Sequence, residues 1–325
     1  MSSFADLSCN DEFWSKCTTR DFSMLIEDDF LEPGLPPSID NALKFATIEI
    51  IDIFVLRRTF PVDLRKYGKY AVVTGATDGI GKALAHQLAK RGFNIVLTAR
   101  NTKKLKDTAE EIRLENVKVS PIRVDFSSEK IYSSIAERLR QLDVGILINN
   151  VGQQFDLPCK FAQLDERDLV SLININMTSV LMMSRICLSA IGSKKKGIVV
   201  NVSSLSCLSP LPLMSVYSAS KSFVTNLSLA LNYECRDDDV IIQCLILSFI
   251  ATKLVHYSKF LRKRSTLLPD ANEYASSAVK TIATSMLTTG HWWHELQSII
   301  YKIFPNWIVN KISIVLFTAL DSRIL

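Results

Sequence analysis

A tyrosine and a lysine four residues apart are the side chains of this sequence best spaced to do chemistry together. Tyr217 and Lys221 stand at i and i+4 in a segment with helical periodicity, so both lie on one helix face. A nearby ammonium stabilises a phenolate and lowers the pKa of tyrosine toward neutral pH. We therefore expect Tyr217 to act as a general acid and general base toward an oxygen of the substrate.

A serine lies where it can assist such a proton transfer. Ser204 follows a predicted strand and precedes Tyr217 by thirteen residues. Its hydroxyl can donate to a carbonyl oxygen as negative charge develops there. Ser203 and Ser206 belong to the same serine-rich segment and are alternatives for this role.

A glycine-rich turn predicts a nucleotide site. The run Thr-Gly-Ala-Thr-Asp-Gly-Ile-Gly, residues 74–81, lies between a predicted strand and a predicted helix. Glycine allows close backbone approach to a pyrophosphate, and the helix that begins there points amide donors at the phosphates. The expected cofactor contacts in this turn are Gly75, Thr77, Asp78, Gly79, Ile80 and Gly81.

The end of the second predicted strand indicates which cofactor binds. A carboxylate at this place would accept a hydrogen bond from the ribose 2′-hydroxyl of NAD. The sequence instead has Ala99 followed by Arg100, with Lys103 and Lys104 close behind. Because a guanidinium suits a 2′-phosphate, we expect NADP(H), held by Arg100.

These residues require an α/β scaffold that brings strand ends together. From Tyr70 onward, short β-type runs alternate with longer helical periods, which is typical of a doubly wound parallel sheet, Rossmann-like, with N-terminal and C-terminal helical extensions. The predicted strands are Tyr70–Thr74, Asn94–Thr98, Val117–Asp125, Gly145–Asn149, Gly197–Val202 and Val240–Leu247. The predicted helices are Ile80–Arg91, Thr102–Glu115, Ser128–Leu142, Asp165–Ile191 and Tyr217–Cys235.

Three regions follow from this pattern. Residues 1–65 form an acidic leader and a short helical segment, and residues 66–255 form the dinucleotide-binding catalytic domain. Residues 256–325 form a substrate lid and a C-terminal apolar helical extension. Within the extension, Ile299–Leu320 could lie on a membrane surface, or could cap the core or line a pocket.

Composition excludes several classes of protein. A net charge of +5 over 325 residues is too small and too dispersed for nucleic-acid binding. The seven cysteines include no Cys-x-x-Cys pair and no metal-ligand spacing, so we expect reduced thiols in an intracellular chain without a bound metal. The acidic start does not resemble a secretory or mitochondrial signal, and no uncharged apolar run is long enough to span a membrane.

Taken in order, these motifs resemble the short-chain dehydrogenase/reductase family. The resemblance rests on Thr-Gly-x-x-x-Gly-x-Gly, on Asn-Asn-Val-Gly at 149–152 and on Tyr-Ser-Ala-Ser-Lys at 217–221, and it covers about residues 66–253. Within the family, residues 73–82, 145–152 and 251–254 look like the very-long-chain 3-oxoacyl-CoA reductase and 17-beta-hydroxysteroid dehydrogenase branch, types 3 and 12. Hydroxysteroid dehydrogenase-like relatives, some regarded as inactive, are also similar around residues 288–292.

The resemblance implies further site residues. Asn176 would hold a water that links Lys221 to solvent, with Asn174 as its rival for that role. Asp125 would contact the adenine, and Asn149 would cover the adenine ribose and steady the central sheet. Members commonly pair through the two long helices, here by apolar faces at 181–183 and 227–231, so a homodimer is expected.

The implied activity is an NADP(H)-dependent interconversion of a ketone and a secondary alcohol on a large, lipid-like apolar substrate, either a 3-oxoacyl-CoA or a steroid. Leu208, Leu211, Leu213, Met214 and Phe249 would supply an apolar pocket, although core packing explains them equally well. The alternative is a catalytically weak or inactive relative that acts as a nucleotide-binding module.

Two departures from the family pattern bear on these expectations. Ser248 stands where the family normally has a proline that turns the chain over the nicotinamide. Members of the branch in the endoplasmic reticulum usually begin with an apolar membrane segment, whereas this sequence begins with acidic residues. A location at the endoplasmic reticulum surface therefore rests on family analogy, with cytosol and mitochondrion as alternatives.

Overall fold

The computed structural model describes residues 62–155, 157–192, 194–236, 238–250 and 268–320. All of these residues lie in one compact unit. The acidic leader, most of the predicted lid and the Ala-Thr-Lys-Leu segment at 251–254 lie outside the described residues. The same holds for the boundary predicted near residue 255.

A single seven-stranded sheet, parallel throughout, organises the described residues, in the order β3-β2-β1-β4-β5-β6-β7. The strands are β1 Tyr70–Thr74, β2 Asn94–Ala99, β3 Val119–Arg123, β4 Val144–Asn149, β5 Lys196–Ser204, β6 Asp239–Leu247 and β7 Leu287–Thr288. The chain order reverses between β1 and β4, and ligands of such sheets bind at the carboxyl ends beside this point. The predicted Rossmann-like class is confirmed.

The six predicted strands all form, but the predicted number of strands was too low. The seventh strand, Leu287–Thr288, has only two residues and pairs with Cys244 and Leu245 of β6. Two residues are too few to show the alternation or the apolar run by which a strand is recognised in a sequence.

Helices cover both faces of the sheet. They are α1 Gly79–Lys90, α2 Thr102–Arg113, α3 Tyr132–Arg140, α4 Glu166–Ile191, α5 Ser215–Glu234, α6 Ala271–Ala278, α7 Trp292–Ile303 and α8 Asn306–Leu320. Because side chains alternate along a strand, Val73 belongs to one buried cluster with residues of α1, α2 and α6, while Val72 belongs to another with residues of α3 and α4. Side chains at the helix starts fix where they begin: Asp78 accepts from Gly79 N and Asn101 from Lys104 N.

Helix α4 contains a π turn at Asn174–Thr178, between α-helical segments Glu166–Ile173 and Ser179–Ile191. Such turns are often found at functional sites, since they re-aim a side chain within a helix. In the described part of the chain, α4 is the one helix long and apolar enough to cross a membrane by length and composition alone. Its residues Met183 and Cys187 are fully buried against the sheet, so α4 serves the core.

The C-terminal helices build onto the same sheet. Helix α6 packs against α1, and β7 leads into α7 beside the carboxyl half of β6. Helix α8 buries Val309 and Phe317 but exposes several apolar side chains on its other face. The segment 299–320 therefore packs on the core through one face and exposes apolar side chains on another, and its contact with a membrane stays a prediction.

Candidate active site

The turn after β1 has the shape that a pyrophosphate needs. Gly75 has φ +64°, and a Cβ atom there would lie 3.1 Å from Val151 Cα. A Cβ atom at Gly81 would overlap the Asn150 side-chain amide and the Gly75 carbonyl oxygen. Both positions therefore favour glycine, which lets the turn pack against Asn150 and Val151 and lead directly into the N-terminus of α1, where backbone amides can hold a pyrophosphate.

The other predicted residues of this turn lie beside the cradle. Thr77 is in the turn itself, Gly79 opens α1 with φ +50°, and Ile80 packs against the core from the first helical turn. Asp78 caps α1, and its second carboxylate oxygen pairs with Lys104 Nζ at 2.9 Å. This pair places a cation against the Asp78 carboxylate, next to the expected phosphate site.

Two residues that the sequence did not predict hold this turn in place. Asn150 Nδ2 donates to Thr74 O at 2.9 Å and to Gly75 O at 3.3 Å. Thr74 Oγ1 accepts from the backbone amides of Asn150 and Val151 at 2.9 and 3.0 Å. The Asn-Asn-Val-Gly motif is thus bonded directly to the glycine motif, a link that the proximity of β1 and β4 could have suggested.

Arg100 lies at the carboxyl end of β2 and is exposed. Lys103 is exposed as well, whereas Lys104 is engaged with Asp78. Of the three predicted cations, Arg100 lies nearest the end of β2 in the sequence, and its guanidinium suits a phosphate there. Asp125 lies just beyond β3, where its carboxylate accepts from Ser127 N at 3.1 Å and Ser127 Oγ at 2.8 Å. These hydrogen bonds, aided by the charges of Arg100 and Arg123, hold the pKa of Asp125 below its ordinary value.

Asn149 is buried at the end of β4, with 1% of its surface exposed. Its side-chain amide donates to Ser184 Oγ at 3.0 Å and to Asn201 Oδ1 at 2.8 Å, and Asn201 in turn donates to Ser228 Oγ at 2.9 Å. This network ties α4, β4, β5 and α5 together, in keeping with the expected role of steadying the sheet. The predicted adenine-ribose contact remains a prediction, one that its buried amide is poorly placed to make.

Tyr217 and Lys221 share one face of α5, as predicted. The Lys221 Nζ atom lies 5.8 Å from the centre of the Tyr217 ring and donates to Val202 O of β5 at 3.0 Å. Lys221 is only 5% exposed, and burial lowers its pKa from 10.5 to about 8. Its ammonium is therefore held near the phenol at a pKa that lets it share in proton transfer near neutral pH.

Asn176 lies on the catalytic side of the π turn, whereas Asn174 lies elsewhere. The Asn176 side chain accepts from Gln153 N and donates to Gln153 O, both at 2.8 Å, and donates to Ser220 Oγ at 3.0 Å. Asn174 instead donates to Ser127 O at 3.1 Å, next to Asp125. The choice of Asn176 over Asn174 therefore agrees with the geometry.

Ser204 is the best placed of the three serines considered. It is half-buried at the end of β5. The Ser203 hydroxyl is buried and bonded to Lys221 O at 3.0 Å and to Thr225 Oγ1 at 2.8 Å. The Ser206 hydroxyl is buried as well. Of the three, only Ser204 is not buried, and its hydroxyl, which accepts from Ser206 N at 3.2 Å, keeps a proton to donate at the strand end.

An apolar wall lies beside Tyr217. Leu211, Met214 and Phe317 form a buried cluster against which Leu213 and Tyr217 pack. Phe317 comes from α8, and Ser209 Oγ bonds to Asn310 of the same helix at 3.2 Å. Of the other predicted pocket residues, Leu208 packs in a separate cluster and Phe249 is 41% exposed.

Comparison with known proteins agrees with this geometry. The family model described as short chain dehydrogenase matches residues 69–260. The chain is 42% identical to inactive hydroxysteroid dehydrogenase-like protein 1 of Homo sapiens over 247 residues, which is 75% of each chain. It is 39% identical to very-long-chain 3-oxoacyl-CoA reductase of Rattus norvegicus over 249 residues, 76% of this chain and 78% of the relative.

A solved structure gives the same result. The short-chain dehydrogenase of Sphingobium yanoikuyae in complex with NADPH superposes with a TM-score of 0.62 at 26% identity, covering 67% of this chain and 86% of that one. The matched relatives include those of the branch that the sequence motifs indicated. By its family match, its parallel sheet and its motifs, this chain belongs to the short-chain dehydrogenase family of oxidoreductases, which bind a nicotinamide cofactor.

Proposed function

We propose that this chain is an NADP(H)-dependent oxidoreductase that interconverts a ketone and a secondary alcohol on a large apolar substrate, a 3-oxoacyl-CoA or a steroid. The observation that carries the proposal is a set of polar side chains near the carboxyl ends of the central strands: Tyr217, Lys221, Ser204 and Asn176. A chain freed from catalysis would have little reason to keep all four.

Each of the four side chains has a different role in the proton transfer. In the reductive direction Tyr217 donates its phenolic proton to the substrate oxygen, and Ser204 donates a hydrogen bond to the same oxygen. The Lys221 ammonium stabilises the resulting phenolate. Asn176 fixes the Gln153 backbone beside this site and would hold the water through which Lys221 exchanges protons with solvent.

The cofactor supplies or accepts the hydride when it is bound. Gly75, Gly79 and Gly81, with the amides that open α1, would hold its pyrophosphate. Arg100 would hold a 2′-phosphate, which favours NADP(H) over NAD(H). The relative solved with NADPH lends support to this choice.

The apolar wall formed by Leu211, Met214 and Phe317 supports a hydrophobic substrate. The very-long-chain 3-oxoacyl-CoA reductase among the relatives supports an acyl-CoA, and the hydroxysteroid dehydrogenase-like names support a steroid. We therefore keep both substrate classes and separate them by experiment.

The second candidate function is a nucleotide-binding module with little or no turnover. The observation in its favour is that several relatives carry the word inactive in their names. Ser248, in place of the family's proline beside the nicotinamide, points in the same direction.

Turnover by the purified protein separates the two candidates. NADPH oxidation would be followed against a panel of 3-oxoacyl-CoAs and 17-ketosteroids, with NADPH binding measured in parallel. We expect turnover on one class, and its loss by about a hundredfold or more in Tyr217→Phe, which lacks the acid proton.

A Tyr233→Phe variant controls for the loss of a hydroxyl from α5, because Tyr233 is 40% exposed near the far end of that helix. Tight NADPH binding without turnover on any substrate would favour the binding module. Full activity in Tyr217→Phe would refute the assigned acid.

We propose a homodimer through the outer faces of α4 and α5. The exposed apolar residues of α4 are Val170, Ile173 and Leu181. Of the apolar face predicted at 227–231 on α5, Leu229 is buried and Leu231 packs against the core, so this part of the prediction is wrong for those two residues. Met183, which the sequence grouped with Leu181, is fully buried and belongs to the core. Analytical ultracentrifugation should show a dimer that Leu181→Glu dissociates, and a native monomer would refute this arrangement.

We also propose a peripheral contact of the C-terminal helices with a membrane. Exposed apolar side chains there are Trp292, Leu296, Ile303, Phe304, Trp307 and Ile312. Between residues 296 and 320 the only charged residues are Lys302 and Lys311, which suits a bilayer carrying anionic lipid. By family analogy we propose that the protein is located at the endoplasmic reticulum surface, with cytosol or mitochondrion as alternatives. Imaging of a fluorescent fusion would distinguish these locations.

Vesicle sedimentation tests the membrane contact. The protein should sediment with phosphatidylcholine vesicles containing phosphatidylserine, and Trp307→Glu with Ile312→Glu should abolish this because it places charges in the apolar face. Leu114→Glu is the matched control, since Leu114 is 82% exposed at the end of α2. Equal sedimentation of all three proteins, or none by the native chain, would contradict the proposal.

A further inference from the structure

The segment after β6 borders the reacting groups. Leu247, the last residue of β6, is the register partner of Ser204 at the end of β5. Ser248 and Phe249 follow directly, and Ile250 is 3% exposed. A segment in this place can turn over the nicotinamide half of the cofactor only if its backbone is held.

Proline would hold such a segment by fixing φ and removing a donor. Serine leaves φ free and adds an N–H, which needs an acceptor because the residue is half-buried. The departure from the family pattern therefore creates two demands: an acceptor for Ser248 N and a restraint on the peptide that follows.

One imidazole ring of α7 meets both demands. His294 Nδ1 accepts from Ser248 N at 3.4 Å, and His294 Nε2 lies 3.3 Å from Phe249 O. The neighbouring Gln297 Oε1 accepts from the Ser248 hydroxyl. Two consecutive residues of the segment are thus bonded to a single helix.

His294 has the protonation state that these bonds require. It is fully buried, and burial, together with the neighbouring His291, lowers its pKa to about 3. A neutral ring with its proton on Nε2 donates to Phe249 O while Nδ1 accepts from Ser248 N. Both contacts are then satisfied at once over the physiological pH range.

The ring is itself held on its other sides. It stacks on Tyr274 with centroids 5.2 Å apart and an interplanar angle of 29°. The Tyr274 hydroxyl donates to Thr289 O at 2.8 Å, and Glu295 accepts from Thr289 Oγ1 at 2.7 Å. Strand β7 precedes α7 and pairs with β6, so this cluster fixes the start of α7 relative to the end of β6.

We propose that His294 is a positioning residue, which restrains the Ser248–Phe249 segment against the nicotinamide half of the cofactor as the family's proline does. The inference rests on the proposed function, since it assumes that NADP(H) binds at this sheet edge. It also gives the Thr-Thr-Gly-His-Trp-Trp-His motif a role, because its last histidine reaches the segment after β6, and the carbonyl of its second threonine, Thr289, accepts from Tyr274, on which that histidine ring stacks.

Binding of whole and half cofactors tests the proposal without requiring turnover. His294→Leu keeps an apolar side chain of similar bulk against Tyr274 but removes both polar contacts. We expect this variant to bind NADPH about tenfold more weakly, which is the loss of affinity expected when one or two ordinary hydrogen bonds are removed. Binding of 2′,5′-ADP, which carries the adenine half and the 2′-phosphate alone, should stay unchanged.

Three variants make the result specific. His291→Leu is the matched control, because His291 is also buried in the motif but bonds to neither Ser248 nor Phe249; it should leave both affinities unchanged. Ser248→Ala keeps the N–H and so should bind NADPH nearly as the native chain does. His294→Asn, which offers an acceptor to Ser248 N, should restore part of the lost affinity and provides a second test if His294→Leu does not fold.

The outcomes separate this proposal from the one on which it rests. Failure of the native chain to bind NADPH would refute the proposed cofactor and this inference with it. Native binding that His294→Leu leaves unchanged, or a loss shared equally by 2′,5′-ADP or by His291→Leu, would refute the positioning role alone.

Discussion

Replacing Lys221 by methionine should abolish activity and yet stabilise the fold. The ammonium is buried, and its pKa is lowered from 10.5 to about 8. This shift means that keeping the charged group out of water lowers the free energy of unfolding by roughly 3 kcal/mol. Methionine avoids this penalty but loses the hydrogen bond to Val202 O, worth about 1 kcal/mol. The net gain at pH 7 is about 2 kcal/mol, or a rise in Tm of about 4 to 8 °C for a domain of this size.

The sign of the pH dependence follows from the lowered pKa. Below pH 8 the lysine is charged in both the folded and the unfolded chain, so the penalty is complete. Between pH 8 and 10.5 the unfolded chain binds more protons than the folded chain, so the native protein gains stability as pH rises. The advantage of Lys221→Met should therefore shrink by about 2 kcal/mol between pH 7 and pH 9.5.

Urea unfolding at the two pH values, without cofactor, measures this change. Lys106→Met on α2 is the matched control, because Lys106 is exposed and its removal relieves no buried charge. A Lys221→Met protein that is less stable than the native chain at pH 7 would refute the reasoning. So would a gain in stability that does not change with pH.

Three further predictions concern the cofactor and the proton path. Arg100→Ala should weaken NADPH binding about tenfold to a hundredfold and leave NADH binding unchanged, because only NADPH offers a 2′-phosphate. Arg138→Ala is the exposed control, and an equal loss of affinity for both cofactors in a titration would count against Arg100. Gly81→Ala should abolish dinucleotide binding by overlap with Asn150, whereas Gly192→Ala, where a Cβ atom meets only ordinary contacts, should bind normally in calorimetry. Asn176→Ala should lower kcat about tenfold with little change in NADPH affinity, while Asn174→Ala should not; the opposite result in steady-state kinetics would reassign the role.

The parts of the fold that were predicted correctly carry strong local signals. Long apolar runs ending in glycine or asparagine marked the buried parallel strands, as at Val72–Gly75 and Ile146–Asn149. The Tyr-x-x-x-Lys spacing determined a shared helix face because it equals one helical turn. The geometry of such motifs depends only on neighbouring residues, so they can be interpreted without the rest of the chain.

Features that depend on contacts between distant segments could not be predicted. Strand β7 exists because residues 287–288 meet β6, and no local pattern announces this. Asn150 was missed because its role is to bond the glycine turn about 75 residues earlier. Ser248 was recognised as a departure, but its partner His294 lies 46 residues later, and nothing in the sequence between them indicates the contact.

Phe317 beside Tyr217 has a consequence for the order of assembly during synthesis. The tyrosine lies at residue 217 and the phenylalanine that completes its apolar wall at residue 317, so a ribosome must add a further 100 residues between them. At about 5 to 20 residues per second this takes about 5 to 20 seconds. During that interval the sheet and its proton-transferring groups can form while Leu211 and Met214 still face solvent. The nascent chain should therefore be able to bind a dinucleotide before the proposed apolar substrate pocket is complete.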